Sequence, residues 1–211
     1  MEYHIVPVTS FQQNCSLLVC PQSRRAAIVD PGGEAPRLLK ELERLQVMPE
    51  RILITHAHLD HAGATAELVD LLHLPVEGPQ RGDQFWIDAI PQQAQMFGMA
   101  GARKFRPDRW LNHGDTVQFG AVTLEVLHCP GHTPGHIVFF NRADRLAVVG
   151  DVLFQGSIGR TDFPGGDQNT LLSSIRDHLL PLGDDVTFIP GHGPVSTIGA
   201  ERRTNPFVTG L

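Results

Sequence analysis

The sequence predicts an α/β protein in which two similar βα layers face each other. The first observation behind this is an order of elements that occurs twice. Ala26–Val29 runs into Asp30, leucines 38, 39, 42 and 45 recur at helical spacing, and the apolar run 51–54 leads to His56. Later, Leu146–Val149 runs into Gly150-Asp151, residues Leu171, Leu172, Ile175, Leu179 and Leu180 make a helical face, and 186–189 leads to Pro190-Gly191-His192. Apolar runs too short for helices, alternating with longer segments of helical period, are the pattern of βα units. Second, both passages deliver an aspartate and a histidine at strand ends, which sets Asp30, His56, Asp151 and His192 along one rim. Residue identity between the two passages is too low to mark a repeat.

With 211 residues, 41% hydrophobic and 19% charged, the chain has room for one globular domain spanning 1–211. Its formal net charge is -6 and its longest basic runs are the pairs Arg24-Arg25, Arg103-Lys104 and Arg202-Arg203. That balance argues against nucleic acid as a partner. The apolar runs are short and the N-terminus lacks a basic region followed by a long apolar one, so neither a membrane span nor a signal peptide is expected. Three cysteines without CxxC spacing fit reduced thiols, and a cytoplasmic location follows. Cys15 and Cys20 read as strand packing residues.

In chain order, residues 3–8, 15–20 and 25–29 read as three short strands separated by Ser10–Asn14 and Pro21–Ser23. Asp30-Pro31-Gly32-Gly33 is a turn into the first helix. Arg51–Ile54 is a short buried strand, and Ala62–Leu72 a helix. The stretch from Gly78 to Trp110 mixes aromatic residues, methionines and glutamines, with Pro91 expected to break any long helix. A peripheral helical segment packed on a sheet is the simpler reading of it, a substrate-facing lid the other. Thr116–Phe119 and Val122–Leu127 form a hairpin around Gly120-Ala121, and Thr197–Leu211 a short helix with a terminal tail.

The densest chemistry lies in Thr55-His56-Ala57-His58-Leu59-Asp60-His61, which sets four potential metal ligands in six positions after a strand. Alternate residues of an extended chain share a face, so His56 and His58 can aim at one cation while the turn into the helix swings Asp60 and His61 toward another. Each residue alone has a plainer role: a lone histidine at a strand end is commonly a loop residue, and Asp60 could cap the helix. Their concentration favours metal. His132 and His192 sit in rigid Pro-Gly-His turns, and Asp151 leaves an apolar strand with a carboxylate able to bridge two cations. Counting ligands gives His56, His58 and His132 for a first site, Asp60, His61 and His192 for a second, and Asp151 between them. Cys129 is a weaker candidate than its neighbour His132, while His128, His136, His4, His73, His113 and His178 read as structural or supporting residues.

HxHxDH at His56–His61, Pro-Gly-His at His132, Gly-Asp at Asp151, Pro-Gly-His at His192 and Asp30-Pro31-Gly32 at the opening resemble the motifs of the metallo-β-lactamase superfamily, in its order. The resemblance implies a four-layer αββα sandwich with a binuclear site at the sheet edges, and makes Asp30 an orienting residue. Within the superfamily, Gly156–Phe163 resembles the segment after the bridging aspartate in glyoxalase II (hydroxyacylglutathione hydrolase) and persulfide dioxygenases. Arg160 stands where glyoxalase II has a lysine for glutathione, and its planar fork suits a carboxylate; an ion pair within the chain is the alternative. The family's glutathione-binding tyrosines fall at Asp162 and Pro194, and its C-terminal helical domain has no counterpart in the sequence.

The chemistry these ligands imply is hydrolysis. Two divalent metal ions, zinc by preference and iron or manganese by availability, lower the pKa of bound water to about 7 and supply a hydroxide nucleophile without a separate base. Asp60 is the one candidate proton shuttle. A thiolate leaves without protonation whereas an amine needs an acid, which favours a small-molecule thioester such as S-D-lactoylglutathione over a β-lactam. A mononuclear iron persulfide dioxygenase is the alternative from another reaction class; a lactonase, or a metal-binding protein without catalysis, ranks lower.

Overall fold

A computed structural model describes residues 1–99 and 101–211. The chain begins with three strands, β1 (Glu2–Val8), β2 (Gln13–Val19) and β3 (Arg25–Val29), followed by helix α1 (Ala35–Leu45) and strand β4 (Met48–Leu53). Two short helices, α2 (Leu59–Ala62) and α3 (Thr65–Leu72), lead to β5 (Val76–Glu77) and then to the longer helix α4 (Gln84–Phe97). These strands form a five-stranded sheet in chain order, β1-β2-β3-β4-β5, with β3 and β4 parallel.

The second sheet comes from β6 (Thr116–Phe119), β7 (Val122–His128), β8 (Ile137–Asn141) and β9 (Leu146–Gly150). A small hairpin of β10 (Leu153–Phe154) and β11 (Ser157–Ile158) follows, then α5 (Gln168–Ser174), β12 (Thr187–Pro190), β13 (Ser196–Thr197) and α6 (Ile198–Thr204). Its order is β13-β12-β9-β8-β7-β6, with β9 and β12 parallel. In both sheets a parallel pair joined through a helix delivers its C-terminal ends to the same rim.

Alternation along the strands sorts the core into three interfaces, since neighbouring residues of a strand face opposite sides. Leu17, Ile28 and Ile52 pack outward against Leu38 and Leu42 of α1 and Leu68 of α3. Their neighbours Leu18, Ala27, Val29 and Leu53 face the second sheet, against Phe119, Val126, Phe139, Val148 and Ile189. On its far side, Phe140, Ala147, Val149 and Phe188 pack on Leu171, Ile175 and Leu179 of the helical segment around α5. Helix, sheet, sheet and helix layers make the αββα sandwich.

Two local expectations are corrected. The predicted helix Ala62–Leu72 is divided into α2 and α3 at Gly63-Ala64, where Ala64 N–H donates to the Pro31 carbonyl. A Cβ on Gly63 would lie 2.6 Å from the Gly32 carbonyl, so the break is where the Asp30-Pro31-Gly32 turn presses on the ligand-bearing segment. Pro91 does not break α4 but lies inside it. Packing of Trp86, Ile87, Ile90 and Ala94 on one buried face offsets the roughly 3 kcal/mol that an interior proline costs.

Candidate metal centre

The chain leaves β4 at Leu53, His58 is extended, and α2 begins immediately after it. This turn separates the ligand-bearing stretch into two pairs. His56 and His58 meet His132 from the loop between β7 and β8, and their ligand atoms lie within 4.8 Å of one another. His58 Nδ1 and His132 Nε2 are 2.9 Å apart. Asp60 and His61, on α2, meet His192 from the end of β12 in a second group of the same compactness. Asp60 does not cap α2; its Oδ2 lies 3.1 Å from His192 Nε2.

Asp151 leaves β9 between the two groups. Its Oδ1 is 3.3 Å from His61 Nε2, and its Oδ2 is 3.6 Å from His132 Nε2 and 3.8 Å from His192 Nε2. Every residue of the sequence-derived ligand set is therefore within one continuous cluster.

The opposite ring nitrogens are held from behind. Asp30 Oδ2 lies 2.9 Å from His61 Nδ1, and its carboxylate also accepts the Thr55 N–H at 2.7 Å and hydroxyl at 2.6 Å. His132 Nδ1 donates to the Arg160 carbonyl at 2.7 Å and His192 Nδ1 to the Phe11 carbonyl at 3.2 Å, which leaves each Nε2 lone pair facing the cluster. His136 stacks on His56 at 4.6 Å and accepts the Asp151 N–H at 3.0 Å.

Electrostatically the two groups differ. Burial, reinforced by neighbouring rings, holds His56 below the usual imidazole range and takes His58 down to about 3; it also lowers His132, against the opposing pull of Asp151 and the Arg160 carbonyl. Burial acts the same way on His61 and His192, but Asp151 and Asp60 outweigh it and raise both. Against the cost of its burial, Asp151 is kept ionised by His61, His132 and His192.

The donor set fits a divalent metal. His56 Nε2 is buried without a hydrogen-bond partner, and His61 Nε2 and Asp151 Oδ1 make no hydrogen bond beyond their 3.3 Å approach to each other; such groups are costly unless something else satisfies them. Imidazole with carboxylate suits zinc, iron or manganese. Cys129 takes no part: it is packed into the outer core of the second sheet, and burial pushes its thiol up.

Residues 8–192 match the family model described as the metallo-beta-lactamase superfamily. The chain belongs to that superfamily. A curated member, hydroxyacylglutathione hydrolase GloC of Haemophilus influenzae, is 50% identical over 209 residues, covering 99% of this chain and 98% of its own. Among solved members, the BLEG-1 B3 metallo-beta-lactamase superposes with a TM-score of 0.90 at 37% identity, covering 99% of this chain and all of its own. TTHA1623 in a di-iron-bound form gives 0.88 at 38%, over 97% and 99%.

Several residues of this superfamily site escaped the sequence reading. Trp86 lies edge-on to His58 with ring centroids 4.5 Å apart, and Phe163 approaches His58 at 4.9 Å and His132 at 5.9 Å. Helix α4 thus packs on the core and, through Trp86, also borders the site. The Arg160 side chain is exposed at the rim, doubly bonded to Asp162 at 3.0 and 2.7 Å and seated over Phe163. The tail is anchored by buried Asn205, whose amide donates to the Phe154 and Ser157 carbonyls of the hairpin after Asp151. Asp83, at the start of α4, was also missed. No local spacing announces any of these contacts.

Proposed function

We propose that this protein is a metal-dependent thioester hydrolase that cleaves S-acylglutathiones such as S-D-lactoylglutathione, the thioester of methylglyoxal detoxification, in the cytoplasm. The observation that carries the reading is the pair of ligand groups joined by Asp151, in a chain that aligns over nearly its whole length with a hydroxyacylglutathione hydrolase. His56, His58 and His132 would hold one divalent cation and Asp60, His61 and His192 a second, with Asp151 between them; zinc is the first expectation and iron the next.

Such cations lower the pKa of bound water to about 7 and polarise a carbonyl. The rest of the work falls to the chain. Asp30 fixes the His61 ring, the Arg160 and Phe11 carbonyls fix His132 and His192, and His136 holds the backbone at Asp151. Trp86 and Phe163 shield the His58 side from water, which strengthens electrostatic interactions within. Asp60 is more open than His61, and its oxygen beside His192 can carry a proton between site and solvent. A departing thiolate needs no acid. The Arg160 guanidinium, at the mouth, is placed to exchange Asp162 for a substrate carboxylate.

The test is loss of thioester absorbance from S-D-lactoylglutathione with purified protein and a chelator-stripped control. Turnover abolished by stripping and restored by metal supports the proposal. A fully loaded protein without turnover refutes it. β-Lactam hydrolysis, raised by the likeness to BLEG-1, is assayed alongside; oxygen uptake with a persulfide and one iron per chain would mark the dioxygenase instead.

A further inference from the structure

Asp83 stands at the amino end of α4, where an aspartate ordinarily accepts a hydrogen bond from its own helix. Its side chain makes no such bond. Oδ2 instead accepts from the Ala57 N–H at 3.0 Å and the Thr133 hydroxyl at 2.8 Å, and Oδ1 accepts from the Gly135 N–H at 2.6 Å. Ala57 lies between His56 and His58, and Thr133 follows His132. One fully buried carboxylate thus spans the two loops, from different sheets, that bring the first ligand group together.

The joint has no slack. A Cβ on Gly135 would come within 2.4 Å of the Gln80 carbonyl and 2.7 Å of Asp83 Oδ1, so only glycine lets the turn before α4 approach this closely. Gln80 N–H donates to the Gly135 carbonyl at 3.0 Å, closing the contact from the other side. A buried carboxylate is costly in an interior and is retained where its hydrogen bonds fix something that apolar packing would leave loose.

We propose that Asp83 is a positioning residue that sets the spacing of the His56–His58 pair against His132, and through it the affinity and geometry of the first cation site. The proposal rests on reading the ligand groups as metal sites. It makes the start of α4 part of the centre, although Asp83 touches no ligand ring. Groups that support ligands typically change metal affinity 10- to 100-fold when removed, and Asp83 acts through the backbone, so about tenfold is expected.

The experiment titrates the stripped, full-length protein with cobalt(II), following visible absorption and bound metal. Wild type, Asp83→Asn and Thr133→Val are compared, with circular dichroism to verify folding. Asp83→Asn is expected to weaken the tighter cobalt about tenfold and alter its absorption band, while the second ion binds as in wild type; Thr133→Val, which removes one of the three bonds, shifts affinity in the same direction by a few-fold. An Asp83→Asn protein that melts earlier but keeps the wild-type cobalt affinity and spectrum would overturn the proposal and leave Asp83 a fold staple. Should Asp83→Asn fail to fold, Thr133→Val decides by the same criterion. A wild type that binds no cobalt would defeat the metal reading itself, and the brace with it.

Discussion

The two ligand groups share the stretch from His56 to His61 and take their third member from different loops, His132 before β8 and His192 after β12, and they are prepared for a cation in different ways. His56, His58 and His132 are buried, aimed at one another and kept neutral by burial, so three lone pairs stand ready. In the second group Asp60 and His192 are more open while His61 is fully buried, and both imidazoles are already drawn to Asp60 and Asp151. The first group is shaped by desolvation and the second by charge pairing. A cation entering the first replaces little, whereas one entering the second must displace interactions the chain makes with itself. The first site is therefore expected to fill first and the second to exchange more freely.

Asp151 faces both groups, so its loss should erase the distinction. Asp151→Ala is expected to lower kcat/KM for the thioester by on the order of a thousandfold, about 4 kcal/mol of transition-state stabilisation, and to weaken both cations. Retention of two tightly held ions would break the comparison at its shared member. His58→Ala and His192→Ala come next: both reduce activity, but the tighter ion is lost in the first variant and kept in the second, as metal analysis after gel filtration would reveal. Asp30→Asn should weaken the second site by roughly 10- to 100-fold through the freed His61 ring, and the first by less, through Thr55, whose hydroxyl lies between Asp30 and His56 Nδ1.

Arg160→Ala belongs to neither group. It should raise KM for a glutathione thioester a few-fold with kcat within about twofold, whereas a fall in kcat alone would show that the Arg160–Asp162 pair serves the loop, not the substrate. The last prediction concerns stability in place of activity and rests on Asp83, whose carboxyl burial raises to about 6 against its three hydrogen bonds. A group with a raised folded pKa favours the fold most below its unfolded value and loses that contribution as pH rises through the folded one. In chelated protein, the stability of wild type relative to Asp83→Asn should therefore fall by on the order of 2 kcal/mol between pH 4 and 7, measured by urea melts. An unchanged difference would mean the carboxyl is not shifted.

What could be read from sequence follows from how local each signal is. His56 to His61 are contiguous, and His132, Asp151 and His192 each follow an apolar strand, so side-chain alternation and rigid turns announce them. Most strands of both sheets were legible for the same reason, but β8 (Ile137–Asn141), buried throughout between β7 and β9, and the two-residue β5 and β13 were not. The break at Gly63 was not, because it comes from Gly32 pressing on α2 from a distant turn. Pro91 inside α4 defied a local rule that tertiary packing overrode. Asp83 bonds to residues 26, 50 and 52 positions away, and the edge of Trp86 on His58 likewise exists only after folding. For Arg160 the sequence left a substrate carboxylate and an ion pair within the chain both open, and the structure shows the ion pair, with Asp162.

The most direct test of the central claim is a zinc titration of stripped protein in which bound metal and S-D-lactoylglutathione hydrolysis are followed together. Turnover that appears with metal and reaches its plateau at two ions per chain is the predicted result. Turnover that survives full stripping, or two bound ions with no thioester cleavage, would contradict the account.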